Sequence, residues 1–349
     1  MAFPFPWRLA DLPKPAPDAP TVATTFSGGG GSSMGYKLAG FRVVAACDID
    51  PFMRDNYLKN MEVPTFACMP VNELTAGPIP PECDRLDVLD GSPPCSVFSM
   101  SGNREDDWQV SRKFQEGQAN QVLDDLFFHF VALAKKWRPR AVIAENVKGM
   151  LIGKARGYVK AVARVMDDAG YDSQLFLVNA ADCGVPQRRE RVFFVGVRKD
   201  LGAPKLALDP HEPWVTASRA LDGLPTMTAA ELDALAIHGV KSKFWWAQTR
   251  PGEAFSEGLK RAGRFENQWY NDVKLHPDKP AQTVLAGSNN YHWDEPRKFS
   301  ARELARLQSF PDDYRFVQDN RAGYVVGMSV PPIMAATVAS AVREQWLRR

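Results

Sequence analysis

Up to about Lys199, short apolar runs alternate with segments whose apolar positions repeat at helical spacing. Thr21 to Phe26 is a β-rich run that leads into a glycine-rich turn and a short helix ending near Ala39. Arg42 to Ala46 predicts a second strand and Phe52 to Asn60 a second helix. Leu86 to Leu89 reads as a buried strand, Leu123 to Trp137 as a helix, and Ala141 to Ala144 as a short apolar strand. Val159 to Ala169 is helical again, and Leu175 to Val178 and Arg191 to Val197 read as closing strands. Strand and helix in alternation predict an α/β fold, a mostly parallel sheet covered by helices on both faces.

Beyond Lys199 the rhythm fails. Residues 205 to 295 are rich in turns, tryptophan and scattered charge, which predicts a second, smaller unit. Helical patterning returns at Ala301 to Ser309 and at Pro332 to Leu347, while residues 1 to 20 hold many prolines and read as an extended arm. With 349 residues, 45% hydrophobic and 24% charged, the chain can bury a sizeable core. No run is seen to approach the ~18 apolar residues of a membrane span. A net charge of +2 leaves nucleic acid open as a partner, because a binding cleft needs local rather than global charge. Five cysteines, none in a CxxC pair, suggest no zinc framework and no metal. Their odd number, with a proline-bearing start unlike a signal peptide, gives the expectation of a reduced, cytoplasmic protein.

Four motifs could carry chemistry. Phe26-Ser27-Gly28-Gly29-Gly30-Gly31 stands between a strand and a helix, where glycines permit a tight turn and close approach of a ligand. Asp48 ends the next strand, seventeen positions past Gly31, where an acid can accept hydrogen bonds from two ribose hydroxyls. Gly91-Ser92-Pro93-Pro94-Cys95-Ser96 follows a strand, so its proline-stiffened loop would present Cys95 at the ligand-binding edge of the sheet. Ala144-Glu145-Asn146-Val147 ends another strand there, and burial can suit such a glutamate to donate a proton. In Gln187-Arg188-Arg189-Glu190-Arg191, Arg189 and Arg191 would share a strand face and suit a phosphate or a base oxygen. Each motif alone also fits a plain role: a flexible turn, a packed cysteine, a strand-end acid, a solvated charge run. Their convergence on one sheet edge is what points to a site.

In this order the blocks resemble the cytosine-5 DNA methyltransferase family of bacteria and phages: Phe26-x-Gly28-x-Gly30-Gly31, Pro94-Cys95, Glu145-Asn146-Val147 and Gln187-x-Arg189-x-Arg191. Arg302 to Pro311 and Gly327-Met328-Ser329-Val330-Pro331-Pro332 resemble the family's last two blocks, so the likeness runs from about Thr21 onward. The resemblance implies a Rossmann-like sheet that uses S-adenosylmethionine, with a smaller target-recognition domain. Residues 1–205 and 325–349 would form the catalytic domain, and 206–324 the recognition domain and hinge. Phe26, Gly28, Gly29, Gly30, Gly31, Asp48, Ile49, Pro94, Leu126, Met328 and Ser329 would hold the cofactor. The sequence departs from the family at Ser96, where Gln is usual, at Met328, where Asn is usual, and near Met69 to Asn72, where an acid is expected.

The implied reaction is methylation of C5 of a cytosine flipped out of duplex DNA. Cys95 would add to C6, Glu145 would protonate N3, Arg191 would bind O2, and Arg189 or Arg191 would favour the thiolate. A loop from Ser96 to about Gln118, with Ser99, Ser101, Gly102, Arg104 and Arg112, would close over the DNA. The second unit offers seven basic residues between Lys241 and Lys274 against four acids, interleaved with Phe244, Trp245, Trp246, Trp269 and Tyr270. A small core around Trp245 and Trp246 is the plainer expectation for those rings. The resemblance further implies a monomer and leaves open a restriction endonuclease acting on the same site.

Overall fold

The computed structural model describes residues 3–94, 111–112, 121–122, 125–152, 155–263, 272–287 and 290–348. Its strands are β1 (Thr21–Thr25), β2 (Arg42–Cys47), β3 (Thr65–Ala67), β4 (Val88–Gly91), β5 (Ser111–Arg112), β6 (Gln121–Val122), β7 (Ala141–Val147), β8 (Tyr171–Asn179), β9 (Glu190–Arg198), β10 (Val273–Lys274) and β11 (Asn290–Tyr291). The helices are α1 (Gly31–Leu38), α2 (Pro51–Asn60), α3 (Val71–Ala76), α4 (Leu126–Trp137), α5 (Ala155–Asp168), α6 (Ala217–Leu221), α7 (Ala229–Leu235), α8 (Val240–Gln248), α9 (Phe255–Arg261), α10 (Ala301–Leu307), α11 (Ala322–Met328) and α12 (Pro332–Val342).

Seven strands form one sheet in the order β3-β2-β1-β4-β7-β9-β8, with β9 antiparallel to both neighbours and the other pairs parallel. The expected mostly parallel sheet is therefore present. Two layers of side chains cover it. Val22, Val88, Ile143, Phe193 and Val195 pack with Met34 and Tyr36 of α1 and with α12 on one face. Ala23, Leu89, Val142 and Phe194 pack with Phe127 and Phe130 of α4 and Val162 of α5 on the other. That alternation is the period of two that a doubly covered strand requires.

Several boundaries differ from the sequence reading. β4 lies two residues later than expected, and β7 runs on to Val147, so Glu145 stands inside a strand rather than at its end. The expectation stopped at the last apolar residue, whereas the hydrogen-bonded ladder to β9 continues through polar positions. β3 and α3 have no apolar pattern of their own and were not expected.

Packing also departs from a boundary at residue 325. Ala305, Phe310, Tyr314, Phe316 and Ala322 belong to the core that includes α1 and α12. Two smaller clusters lie within 217–307. One joins Ala217, Ala220, Leu275, Ala281, Phe299 and Leu307, and the other joins Ile237, Trp245, Phe255, Leu259 and Tyr291. The stretch Asp319–Leu347 is long and apolar enough to cross a membrane, contrary to the expectation of no such run. Pro331 and Pro332 break it into α11 and α12, and both pack inside the core.

Candidate active site

β1, β2, β4 and β7 all end at one edge, and the antiparallel β9 begins there. This is the edge at which open α/β sheets bind ligands. After β1 the chain turns through Phe26 (φ 52), Gly28 (φ 51) and Gly30 (φ 93) into α1. A Cβ on Gly30 would lie 2.1 Å from Cε of Met61, so only glycine fits both the dihedral and the space. Above Gly28 the nearest neighbour of such a Cβ would be Oγ of Ser329, at 3.9 Å.

Asp48 closes the far side of this turn. Its Oδ2 accepts the Gly28 amide at 2.7 Å and its Oδ1 accepts the Asp50 amide at 2.9 Å. Burial pushes its carboxyl up to about 6, with the hydrogen bonds from Asp50 and Gly28 opposing the rise. Ile49 and Pro94 are half-buried, and Met328 is 54% exposed. Ser329 is buried against the glycine turn and donates to the Val325 carbonyl. Phe26 and the fully buried Leu126 instead join the α4 side of the sheet, opposite α1. The N-terminus of α1, an acid at the next strand end and glycines without side chains suit a nucleoside bearing an amino-acid carboxylate. The residues present therefore fit S-adenosylmethionine.

Two strands along the sheet from β1, where β7 lies beside β9, Glu145 and Arg191 meet. Nε of Arg191 lies 2.9 Å from Oε1 of Glu145, and both side chains are about nine-tenths buried. The ladder explains the contact, because Val147 pairs with Arg191 and Glu145 with Phe193, which sets the two charges diagonally on one face. Burial pushes the Arg191 guanidinium down while Glu145 pulls it back up.

Arg189 has other partners. Its Nη1 and Nη2 donate to the carbonyls of Val284 and Gly327, at 3.0 and 2.8 Å, and its Nε is buried without a hydrogen-bond partner. Gln187 is fully buried, donates to Gln308 and accepts the Val284 amide, while Gln308 donates to the carbonyls of Val326 and Ser329. The Gln-x-Arg segment thus ties the sheet to the chain around Ser329, a role that the local sequence did not reveal.

Cys95, Ser96, Ser99, Ser101 and Arg104 lie outside the described residues, as do Gly102, Arg264, Trp269 and Tyr270. The path toward Cys95 is nevertheless anchored. Nδ2 of Asn146 donates to the Pro93 carbonyl at 2.9 Å, and its Oδ1 accepts the Val147 amide. Asn146→Ala is expected to lower methyl transfer by about tenfold to 100-fold, because the loop loses its register, and to cost about 1 kcal/mol of stability. Steady-state kinetics alongside a thermal melt check this. An unchanged rate would show that the loop needs no such anchor.

In the second unit, Trp245 is buried against Phe255, Leu259 and Tyr291, so the plainer expectation for this ring holds. Trp246 packs beside it and donates to the His292 carbonyl, and Nζ of Lys274 lies 3.6 Å above its ring. Arg261 is bound to Glu253. Lys241, Lys243, Arg250 and Lys260 are exposed. Asn72, an expected substitute for the missing acid, is exposed on α3, whereas the half-buried Cys68 directly follows β3, whose Ala67 carbonyl accepts the Asp48 amide.

Fold and strand edge define an open α/β protein that binds its ligand where the strands end. The chain belongs to the C-5 cytosine-specific DNA methylase family, whose model matches residues 21–344. The Type II methyltransferase M1.HphI of Haemophilus parahaemolyticus is 29% identical, over 92% of this chain and 86% of the relative. The Type II methyltransferase M.BbvI of Brevibacillus brevis is 30% identical, over 93% and 90%. A prophage-encoded E. coli chain described as a DNA modification methyltransferase shares the fold, with a TM-score of 0.72, 23% identity and coverage of 95% and 100%. S-adenosylmethionine is the methyl donor.

Proposed function

We propose that this enzyme methylates C5 of a cytosine flipped out of a short duplex sequence, through a covalent bond between Cys95 and C6. The observation that supports this most is the buried Glu145–Arg191 pair on the strand edge, with Asn146 holding the Pro93 carbonyl beside it. Cytosine C5 is a poor nucleophile, and a thiolate adding at C6 saturates that carbon and leaves C4=C5, with the nitrogens on C4, as an enamine whose nucleophilic carbon is C5. Glu145 delivers a proton to N3 as Cys95 adds, and Arg191 offers a cation to O2 where negative charge grows. The cofactor supplies the electrophilic methyl group, which C5 takes. The C5 proton then leaves to solvent, N3 returns its proton to Glu145, and the C6–S bond breaks to restore the Cys95 thiolate.

Gly28, Gly29, Gly30 and Gly31 with Asp48 and Ile49 would hold the cofactor on one side, Ser329 and Met328 on another, with Pro94 between cofactor and base and Phe26 and Leu126 behind. Arg189 supports Arg191 by fixing the chain at Val284 and Gly327. Ser96, Ser99, Ser101 and Arg104 would contact the DNA, and the exposed Lys241, Lys243, Arg250 and Lys260 suit phosphates. The enzyme would act as a cytoplasmic monomer, where Cys47, Cys68, Cys83 and Cys183 stay as free thiols. Its Type II relatives suggest a restriction endonuclease acting on the same site.

Duplex DNA carrying 5-fluorocytosine tests the covalent step, because fluorine at C5 leaves no proton to lose and the C6–S bond cannot break. A denaturation-resistant complex that needs S-adenosylmethionine, with 5-methylcytosine mapped to one short motif on ordinary DNA, is the expected result. Methylation of ordinary DNA without any trapped complex would overturn the adduct, and a long split target would overturn the short site.

A further inference from the structure

Asp90 is a buried carboxylate to which the reaction above gives no task. It stands near the carboxyl end of β4, in register with Thr24 of β1 and Ile143 of β7, and is 5% exposed. Its side chain faces α1, where the Tyr36 hydroxyl donates to Oδ1 at 3.0 Å and the Ser32 hydroxyl also reaches it. From β1, Thr25 binds only its carbonyl. No cation pairs with it among the described residues, and the nearby Glu145 is a charge of the same sign. A buried carboxylate with neutral donors and a like charge lacks the partner that such groups ordinarily have.

Its place shows what could supply one. Asp90 lies four residues before Pro94, and its partners Ser32 and Tyr36 stand on the helix that the glycine turn leads into. The methyl donor is a sulfonium cation, and its product, S-adenosylhomocysteine, is a neutral thioether. The two ligands share ribose, adenine, amine and carboxylate, and differ by one methyl group and one positive charge. We propose that Asp90 is the counter-charge to the sulfonium, a positioning residue that makes this enzyme hold its substrate cofactor more tightly than the spent product.

Burial pushes the Asp90 carboxyl up to about 7, Tyr36 and Ser32 oppose the rise, and Glu145 adds to it. A cation arriving beside it would draw its proton off, whereas a thioether would not. Affinity for the sulfonium should therefore strengthen as pH rises through this range, with release of a proton. Affinity for the thioether should not follow.

The proposal rests on the cofactor lying over the glycine turn beside Asp48. Calorimetric titration of the full chain with S-adenosylmethionine and with S-adenosylhomocysteine, from about pH 5.5 to 8.5 in buffers of different ionisation enthalpy, tests it. The expected result is proton release with the sulfonium alone, and in Asp90→Asn a loss of about tenfold in sulfonium affinity with thioether affinity unchanged. Tyr36→Phe removes one donor to the carboxylate, so it should move the midpoint of the sulfonium pH profile upward. It gives a reading even where Asp90→Asn fails to fold. Equal weakening of both ligands by Asp90→Asn, or a midpoint unmoved by Tyr36→Phe, would overturn the counter-charge. Asp48→Asn separates the two readings. It should weaken both ligands alike, and no effect on either would remove the placement of the cofactor and the role of Asp90 with it.

Discussion

Glu145→Gln is expected to lower the rate of methyl transfer by roughly 10²–10⁴-fold while leaving cofactor and DNA affinity nearly unchanged. Glutamine preserves the volume of the side chain and an oxygen that can accept from Nε of Arg191, now at 2.9 Å from Glu145. What it cannot do is give a proton to N3. The loss should therefore fall on kcat and not on KM, the pattern of an interaction made only in the transition state. A second consequence separates this variant from general damage. Arg191 is as buried as its partner, so a neutral neighbour leaves its charge poorly compensated, and the melting temperature should fall by about 2–6 °C. Single-turnover methyl transfer with a parallel melt measures both. A rate within about threefold of the wild type would assign the proton to another group.

Gly35→Ala is expected to be strongly destabilising. A Cβ there would sit 2.4 Å from the Pro332 carbonyl oxygen, 2.6 Å from Cβ of Ala335 and 2.8 Å from the Ala336 amide. Two of those atoms are backbone, so no rotamer can relieve the clash, and α1 must move away from α12. Overpacking of this kind costs about 3 kcal/mol or more. Because α1 follows the glycine turn directly, cofactor affinity should fall together with stability. Gly157→Ala in α5 is the control. Nothing lies within 4 Å of its added methyl group, and removing a helix glycine should stabilise by about 0.5–1 kcal/mol. Melts of the two variants with and without S-adenosylmethionine test the pair. A Gly35→Ala protein as stable as the wild type would mean that the helices separate at little cost.

What the sequence made legible is what local pattern encodes. The strands β1, β2, β4, β7, β8 and β9 announce themselves through apolar runs, whereas the short β3, β5 and β6 do not, and the glycine turn, Asp48 and Glu145 each follow such a run. Distance along the chain defeats the same reasoning. Gln187 and Gln308 meet across 121 positions, and Tyr314 donates to the Gly29 carbonyl across 285. Neither residue looks different from a surface polar group when only its neighbours are read. Arg189 and Arg191 illustrate the limit most clearly. Their spacing gives them one strand direction, yet one guanidinium binds two main-chain carbonyls and the other a catalytic candidate. Asp90 is illegible for the opposite reason, since a single acid closing an apolar strand reads as the start of a loop.

The contact of Tyr314 with Gly29 has a bearing on how the protein is made. Ser329 and Val330 also lie against Gly31, so the wall of the cofactor turn comes from residues translated some 300 positions after the turn itself. Contacts of such separation form late, after the cost of closing the intervening chain has been met. A ribosome delivering residues at about 5–20 per second would hold the glycine turn unfinished for roughly 15–60 s. During that interval the sheet can assemble, but the nascent chain lacks one side of its cofactor cleft. A fragment released before Tyr314 would be in the same condition. Methylating competence therefore arrives as a single late event in the life of each molecule, and prematurely terminated copies should leave the genome unmarked.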